Sequence, residues 1–462
     1  MRRILKLHAW PVFALLAGTE ALFLLAIVYV GLMASYAGVA HFQQTAREFA
    51  PESFVFAGTL LVSQYAFGLY RWEHCSKFSD VLARTAAAFA SGFVLLSVIF
   101  YVFPSIEIWR SAAAVAFPLG FASLLATRVV FSRILGQRVF KRRVLVIGVG
   151  DHAACIENLE NAGIAYRFSC VAFVDVTGEE RKVSSSRVIP KLNSYPDYIA
   201  KESIDEIVVA IRERRGNLPL QSLMDCRLTG TPVITYQAFF ERETGRIELD
   251  ALKPEWFVFS SGFPGGDLQH VVKRGFDIAM SALMLFLLFP LMAVAALAIR
   301  LEGKGPILFR QERIGFRGQP FVLLKFRSMR VDAERDGIPQ WARKKDPRVT
   351  AVGSVLRATR IDELPQLLNI LKGEMSVVGP RPERPYFVEQ LTQIIPFYSE
   401  RHRVKPGLTG WAQLCYPYGL SEQDAKHKLQ YDLYYIKYFS MMRDFVIIIQ
   451  TIRVVFWPNK LR

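Results

Sequence analysis

"FDIAMSALMLFLLFPLMAVAALAIR", residues 276–300, is the stretch whose reading decides the fold. It is apolar and long enough to cross a bilayer, which takes about 20 residues of helix. Its flanks argue otherwise. Lys273 and Arg274 stand before it, and Arg300, Lys304, Arg310 and Arg313 follow it. A crossing would strand one basic cluster, and the basic C-terminal third with it, on the non-cytoplasmic face, against the positive-inside bias. Pro290 sits mid-run, where it removes a helical hydrogen bond and bends the axis. Two readings stand: an ordinary span kinked at Pro290, or a helix over about 274–300 that breaks there, enters the membrane and returns. Charge favours the second.

The rest of the chain agrees with a membrane setting. Of 462 residues, 52% are hydrophobic, 35 of them Phe, and the mean hydropathy is +0.23, too apolar for an ordinary soluble protein of this size. The formal net charge is +16. In so apolar a chain that charge points to anionic lipid or an anionic substrate, and away from nucleic acid. Cys75, Cys155, Cys170, Cys226 and Cys415 lack CxxC spacing, which argues against a metal cluster or disulfide framework and fits reduced thiols. Four apolar runs come early, at about 11–33, 54–70, 85–103 and 111–130. No small-residue cleavage site closes the first, so it reads as a span and not a signal peptide. Arg2, Arg3 and Lys6 precede the first run, and Arg71, Lys77 and Arg84 separate the second from the third. Arg133, Arg138, Lys141, Arg142 and Arg143 follow the fourth, while the other two connections hold only Arg47 and Arg110. The expectation is four crossings within 1–135, with the N-terminus and everything after 131 in the cytoplasm. Glu20, inside the first run, either pairs within the bundle or serves transport, with no second buried charge evident to support the latter.

The middle part, 141–250, has the period of an α/β domain. An apolar strand at 144–147 runs into Gly148-Val-Gly150-Asp-His-Ala153 and then a helical pattern. This GxGxxA turn lets a helix N-terminus meet a pyrophosphate. "CVAFVDV" carries Asp175 roughly where a ribose-binding acid belongs, and "IDEIVVAI" and "TPVITY" read as further parallel strands. A Rossmann-like domain is expected, with Gly148, Gly150 and Asp175 as its candidate nucleotide residues. The glycines fit a bound dinucleotide or merely the tight turn, and both readings stand.

After residue 300 the chain turns dense in Arg, Gly and Pro. In "PFVLLKFRSM", Lys325 and Arg327 are expected on opposite sides of a strand, so that at most one points into a site. "RIDELPQLLNILKGEMSVVGPRPE", 360–383, places Asp362 and Glu363 side by side just before Pro365. Proline belongs in a first helical turn, so a helix begins near 361–364, buries Leu367, Leu368, Ile370 and Leu371, and ends at Gly373. The acids could simply cap that helix. One cap needs only one acid, however, and Arg357, Arg360, Arg381 and Arg384 surround the pair. Two carboxylates among arginines suit a divalent metal and a phosphate, or an aspartate that attacks phosphorus while arginine forks neutralise its oxygens.

"LLKFRSM", "RIDELPQLLNILKGEMSVVGPRPE" and "RVKPGLTGWAQL" together resemble the bacterial sugar transferases, the monotopic polyprenyl-phosphate phosphoglycosyl transferases. The resemblance covers about 268–462, and the spans and middle domain ahead of it look like the large members that initiate exopolysaccharide or O-antigen synthesis. "YPYG" followed by "KLQYDLYYIK" is similar to the branch associated with exopolysaccharide export and exosortase systems. The resemblance implies an α/β membrane protein of the bacterial inner membrane. It would have a four-helix transmembrane region, a Rossmann-like middle domain and a cytoplasmic catalytic domain on a re-entrant helix. It implies that Asp362 takes the sugar-1-phosphate from a UDP-sugar, glucose guessed first, with release of UMP, and that undecaprenyl phosphate then receives it. Glu363, with Asp362, would hold Mg²⁺. Lys325, Arg327, Arg357, Arg381 and Glu383 would serve substrate binding, with Gly379-Pro380-Arg381-Pro382 as a rigid turn returning one arginine to the site. The family's helix break is often Ser-Pro, where this chain has Phe289-Pro290. Inner-membrane lipids are implied partners, nucleic acid is not, and a homodimer is compatible.

Two other classes fit the sequence less well. A membrane-anchored nucleotide-sugar dehydratase or epimerase needs Tyr-x-x-x-Lys, and no tyrosine of this chain has lysine four residues later. A non-catalytic assembly scaffold conflicts with the intact Asp362-Glu363 pair and Arg381. The final apolar segment, "YFSMMRDFVIIIQTIRVVFWP", reads as an interfacial helix or a buried core helix.

Overall fold

A computed structural model describes residues 9–35, 50–70 without 68, 78–134 without 107 and 109, 141–162, 168–176, 180–212, 218–259 without 253, 267–331, 333, 346–416 and 421–456. Of the basic flanks read above, Arg2, Arg3, Lys6, Arg47, Arg71, Lys77 and Arg138 lie outside these residues, as does most of "YPYG". The chain divides into two compact units, Met1–Phe239 and Phe240–Arg462.

The first unit opens with four apolar helices, α1 (Ala9–Ser35), α2 (Ala50–Ala66), α3 (Phe78–Val102) and α4 (Arg110–Ile134). By length and composition, Ala14–Ala34, Arg84–Val102 and Ser111–Phe131 can each cross a membrane, whereas α2 has 17 residues, at the short limit for a span. Leu24, Val28, Phe56, Leu60, Leu96 and Leu124 meet in the interior, while Leu22, Phe23, Phe93 and Val94 face outward. Apolar residues on both the inner and outer faces are what a lipid-facing bundle needs. Glu20 is fully buried and accepts from Arg128 Nη2 at 3.1 Å and from the Tyr70 hydroxyl. Arg128 also donates to Leu69 O at 2.5 Å. The second buried charge that the sequence reading lacked is therefore Arg128, inside the fourth run.

A five-stranded parallel sheet follows: β1 (Arg142–Ile147), β2 (Phe168–Asp175), β3 (Val188–Pro190), β4 (Glu206–Val209) and β5 (Val233–Thr235), in the order β3-β2-β1-β4-β5. Helices α5 (Asp151–Asn161), α6 (Tyr195–Glu202) and α7 (Leu220–Leu228) connect the strands, and α8 (Tyr236–Thr244) leaves β5. Near-continuous apolar runs such as "VLVI" mark strands covered on both faces. Gly148 has a φ of 122°, and a Cβ there would lie 2.9 Å from Ala210 O, so the β1–α5 turn demands glycine for backbone reasons alone.

The second unit contains α9 (Pro254–Phe259), α10 (Asp267–Glu302), the hairpin β6 (Leu308–Ile314) and β7 (Pro320–Phe326), α11 (Ala351–Ala358) and α12 (Gln366–Lys372). Then come β8 (Ser376–Val378), α13 (Pro385–Ile394), β9 (Gly407–Thr409), which pairs parallel with β8, α14 (Trp411–Cys415), α15 (Glu422–Lys437) and α16 (Met441–Phe456). Residues 240–250, read from sequence with the middle part, dock on this unit. Gly245 O accepts from Trp411 Nε1 at 2.8 Å, and buried Glu241 accepts from Lys437 Nζ at 2.8 Å. α16 turns Ile447 and Asp444 inward, as a core helix does, and leaves Met442 and Phe445 exposed.

α10 is a 36-residue helix whose assignment passes through Pro290 without interruption. Its middle is bare and apolar, with Phe286 80% and Phe289 68% exposed. Both its ends are gripped by the same unit. Near the start, Arg274 donates to Ile370 O at 2.5 Å and Leu371 O at 2.6 Å, and Asp277 Oδ1 accepts from Val377 N at 3.1 Å. At the far end, Glu302 Oε1 accepts from Val352 N at 2.8 Å, and Ile299 packs with Phe326 and Leu356.

Candidate active site

The acidic pair sits on a tight corner between α11 and α12. Arg360 adopts a φ of 61°, the left-handed region, and the 3-10 turn Ile361–Glu363 follows it. Such a φ is uncommon for a residue with a Cβ and turns the next side chains sharply. Pro365 and Gly373, the latter with a φ of 90°, bracket α12. Leu367 and Ile370 are buried as expected, but Leu368 is exposed. The inward side of α12 belongs instead to Asn369, fully buried, which accepts from Leu324 N at 3.1 Å and donates to Val322 O at 2.8 Å. That clamp fixes the strand that carries Lys325. No local pattern marks an asparagine for a contact 45 residues away.

Asp362 and Glu363 are both buried. Glu363 Oε1 accepts from Lys325 Nζ at 3.0 Å and from Arg381 Nη2 at 2.7 Å, and Arg360 lies 3.9 Å from Oε2. Burial pushes the Glu363 carboxyl up, but Arg381 and Lys325 outweigh it and hold the group well below the usual carboxylate range. Burial also lowers Lys325, with Glu363 opposing. Asp362 goes the other way: burial, then the adjacent Glu363 charge, push its carboxyl up, against Lys325, Arg357 and Arg360. Its Oδ1 is buried with no hydrogen-bond partner among the described residues. Buried oxygens of this kind are normally satisfied, so this one has capacity for a further partner. Arg357 is half-buried, and its guanidinium makes no hydrogen bond or ion pair among the described residues.

Thus Lys325, Asp362, Glu363 and Arg381 converge, with Arg357 close enough to act on the Asp362 charge. Arg327 does not join them. Its guanidinium donates to Ile299 O, Gly303 O and Lys304 O at 3.2, 3.0 and 3.1 Å and caps α10. Strict alternation puts residues two apart on one face. Lys325 and Arg327 diverge because β7 ends at Phe326, not because of the pleat. Glu383 sits beside Arg313, with 3.7 Å between Oε2 and Nη1, and its carbonyl accepts from Ile314 N at 3.0 Å. In the first unit, Gly150 caps α5, and Asp175 at the end of β2 pairs with Arg181 at 3.0 Å. Lys182 crosses the glycine turn, with its backbone N–H 2.9 Å from Val149 O and its Nζ 2.8 Å from Asp151.

Paired acids among cations, one held by cations and one left with a bare oxygen, can attack a phosphoryl group or coordinate a metal that binds one. The chain matches the family described as "Bacterial sugar transferase" over residues 268–458. It is 33% identical over 410 residues to the UDP-N-acetylgalactosamine-undecaprenyl-phosphate N-acetylgalactosaminephosphotransferase of Aeromonas hydrophila, covering 88% of this chain and 95% of that protein. The chain belongs to the bacterial sugar transferase family. To the UDP-glucose:undecaprenyl-phosphate glucose-1-phosphate transferase of Xanthomonas campestris pv. campestris this transferase is 29% identical over 419 residues, 87% of this chain and 86% of the relative. To the protein so named in Escherichia coli (strain K12) it is 42% identical over 191 residues, 41% of either chain. The matches to the Aeromonas and Xanthomonas proteins take in most of the chain, so it is a large-type member, a membrane protein and an enzyme of the phosphotransferase class.

Proposed function

We propose that this transferase moves a sugar-1-phosphate from a UDP-sugar, glucose first among candidates, to undecaprenyl phosphate, and so initiates exopolysaccharide or O-antigen assembly. The observation that carries the reading is the orphaned, buried Asp362 Oδ1 beside a cation-saturated Glu363. A carboxylate oxygen with no donor is free for phosphorus. Asp362 attacks the sugar-bearing phosphorus, the Asp362 O–P bond forms, and the bond to the bridging oxygen breaks, releasing UMP. A phosphate oxygen of undecaprenyl phosphate then attacks the same phosphorus. The aspartyl bond breaks, the carboxylate returns, and undecaprenyl-diphosphate-sugar leaves. Arg357 and Arg381 neutralise phosphoryl oxygens as charge moves between them.

Asp362 and Glu363 together would hold Mg²⁺, Glu363 through Oε2, the oxygen that Lys325 and Arg381 leave unbonded. Among the described residues no three His, Cys, Asp or Glu gather as a metal cage. A magnesium ion that takes its other ligands from water and substrate phosphate needs no such cage, and when bound it would neutralise phosphate charge. The re-entrant reading of α10 is supported by its two gripped ends: a crossing would carry one of them about 30 Å from the other side of the bilayer core. Since α10 is unbroken, the return would be made by bending at Pro290. It implies a cytoplasmic catalytic domain on the inner membrane, and a homodimer remains compatible. The parallel order β3-β2-β1-β4-β5 supports a Rossmann-like middle domain. Lys182 over its glycine turn and Arg181 on Asp175 weigh toward a structural use of that turn.

The test is UMP release from a UDP-sugar panel with undecaprenyl phosphate and Mg²⁺, with intact-protein mass as the check for a phosphosugar adduct. Wild-type turnover in both Asp362→Asn and Glu363→Gln sinks the assignment. A cysteine introduced near 320 that is labelled from the periplasm sinks the topology.

A further inference from the structure

The turn Gly379-Pro380-Arg381-Pro382 brings Arg381 to Glu363, and three successive carbonyls of the turn are each held by a different donor. Gly407 N–H donates to Pro380 O at 2.9 Å, Arg401 Nη2 to Arg381 O at 3.0 Å, and Arg313 Nη1 to Pro382 O at 3.1 Å. Pro380 and Pro382 fix their own φ, and Pro382 keeps Arg381 out of the α region. Arg401 holds the carbonyl that lies between those two prolines.

Arg401 is 5% exposed, in the 3-10 segment Tyr398–Arg403. Its other contacts are the Tyr398 hydroxyl at 2.6 Å and Asp432 Oδ2 at 2.8 Å. Asp432, on α15, is 2% exposed. A buried arginine–aspartate pair adds little stability over a well-packed apolar pair, because both charges lose their water. A fork that holds a backbone carbonyl one residue from the chemistry has another use. We propose that Arg401, oriented by Asp432, is a positioning residue for Arg381, setting the backbone from which that side chain reaches Glu363. The proposal rests on the transferase reading of the acidic pair.

The test uses the full chain in nanodiscs with UDP-glucose and undecaprenyl phosphate, read by UMP release. Arg401→Lys keeps the charge beside Asp432 but replaces a planar fork with one point donor. Expected is a kcat lower by about 10–100-fold, as for a small misplacement of a reacting group, with KM for UDP-glucose changed less than about threefold. In an Arg381→Ala background the same substitution changes kcat by less than about twofold, because the side chain it positions is gone. Asp432→Asn shows a smaller loss and the same dependence on Arg381. Wild-type kcat in Arg401→Lys, or losses that multiply independently in the double variants, overturns the proposal. Hydrogen exchange of the Gly379 and Gly407 amides, which donate to Thr409 O and Pro380 O across the turn, separates this from the functional reading without substrate: in Arg401→Lys both are expected to exchange about tenfold faster. If the wild type releases no UMP from any UDP-sugar, the functional reading fails, and unchanged exchange then overturns the positioning role as well.

Discussion

Glu363→Gln asks whether Glu363 is first a hub for cations or a ligand for a metal. The substitution keeps the shape and removes the charge. Lys325, with 18% of its side chain exposed, loses the carboxylate at 3.0 Å that is only 11% exposed itself. A hydrogen bond to a charged group of this kind contributes about 1.5–3 kcal/mol. Arg381 leaves 40% of its side chain open to water, so its leg is screened and adds about 0.5–1 kcal/mol. The sum is about 2–4 kcal/mol, near the lower end for breaking a buried pair. For a unit of this size that lowers Tm by about 5–15 °C. Thermal unfolding of the solubilised protein, run in EDTA and again in Mg²⁺, is the assay. A hub gives the same drop in both, whereas a residue acting only through Mg²⁺ gives none in EDTA. A Tm within about 1 °C of wild type in EDTA would refute the reasoning.

Three further outcomes are expected. Burial and Glu363 push Asp362 above its ordinary 3.8, so the carboxylate proposed to attack is lost as pH falls through a raised limb. Lys325→Met removes a charge that lowers Asp362, so the acid limb of kcat/KM moves to higher pH, and a limb that stays or falls rejects the assignment. Arg357→Met raises KM for UDP-glucose by about tenfold with Tm unchanged, and an unchanged KM removes Arg357 from substrate binding. Gly353→Ala places a Cβ 2.1 Å from Ser328 O, against backbone that cannot yield cheaply. It lowers stability by about 1–3 kcal/mol, measured as a drop in Tm, and a wild-type Tm disproves the close approach.

Local signals were legible and long-range ones were not. Pro365 and Gly373 bracket α12 in sequence as they do in space, because caps act within one turn. The strands β1, β2, β4 and β5 follow from apolar runs bounded by turn residues, whereas β3, three residues long with Pro190 at its end, carries no such run. The acidic pair stood out by its arginines, and Lys325 and Arg381 do meet it. Which carboxylate they neutralise was not legible, since Lys325 comes from 38 residues away and Arg381 from 18. Arg128 was hidden inside an apolar run because its partner, Glu20, lies 108 residues earlier. Nothing in the sequence marks Arg401, because its partner Asp432 lies 31 residues away on α15. The family resemblance groups Arg327 with the substrate residues, whereas its guanidinium holds the carbonyls at the end of α10 because β7 stops at Phe326.

Lys325 and Arg327 stand two residues apart, one on the acidic pair and one on the last carbonyls of α10. That strand end works as a lever with its short arm at the chemistry. On the re-entrant reading proposed above, a shift of α10 with bilayer thickness would reach Glu363 through the two peptide bonds between Arg327 and Lys325. Turnover would then depend on membrane thickness. UMP release in bilayers of graded acyl-chain length should vary for the wild type and flatten in Arg327→Met, and a wild type indifferent to chain length would break the lever.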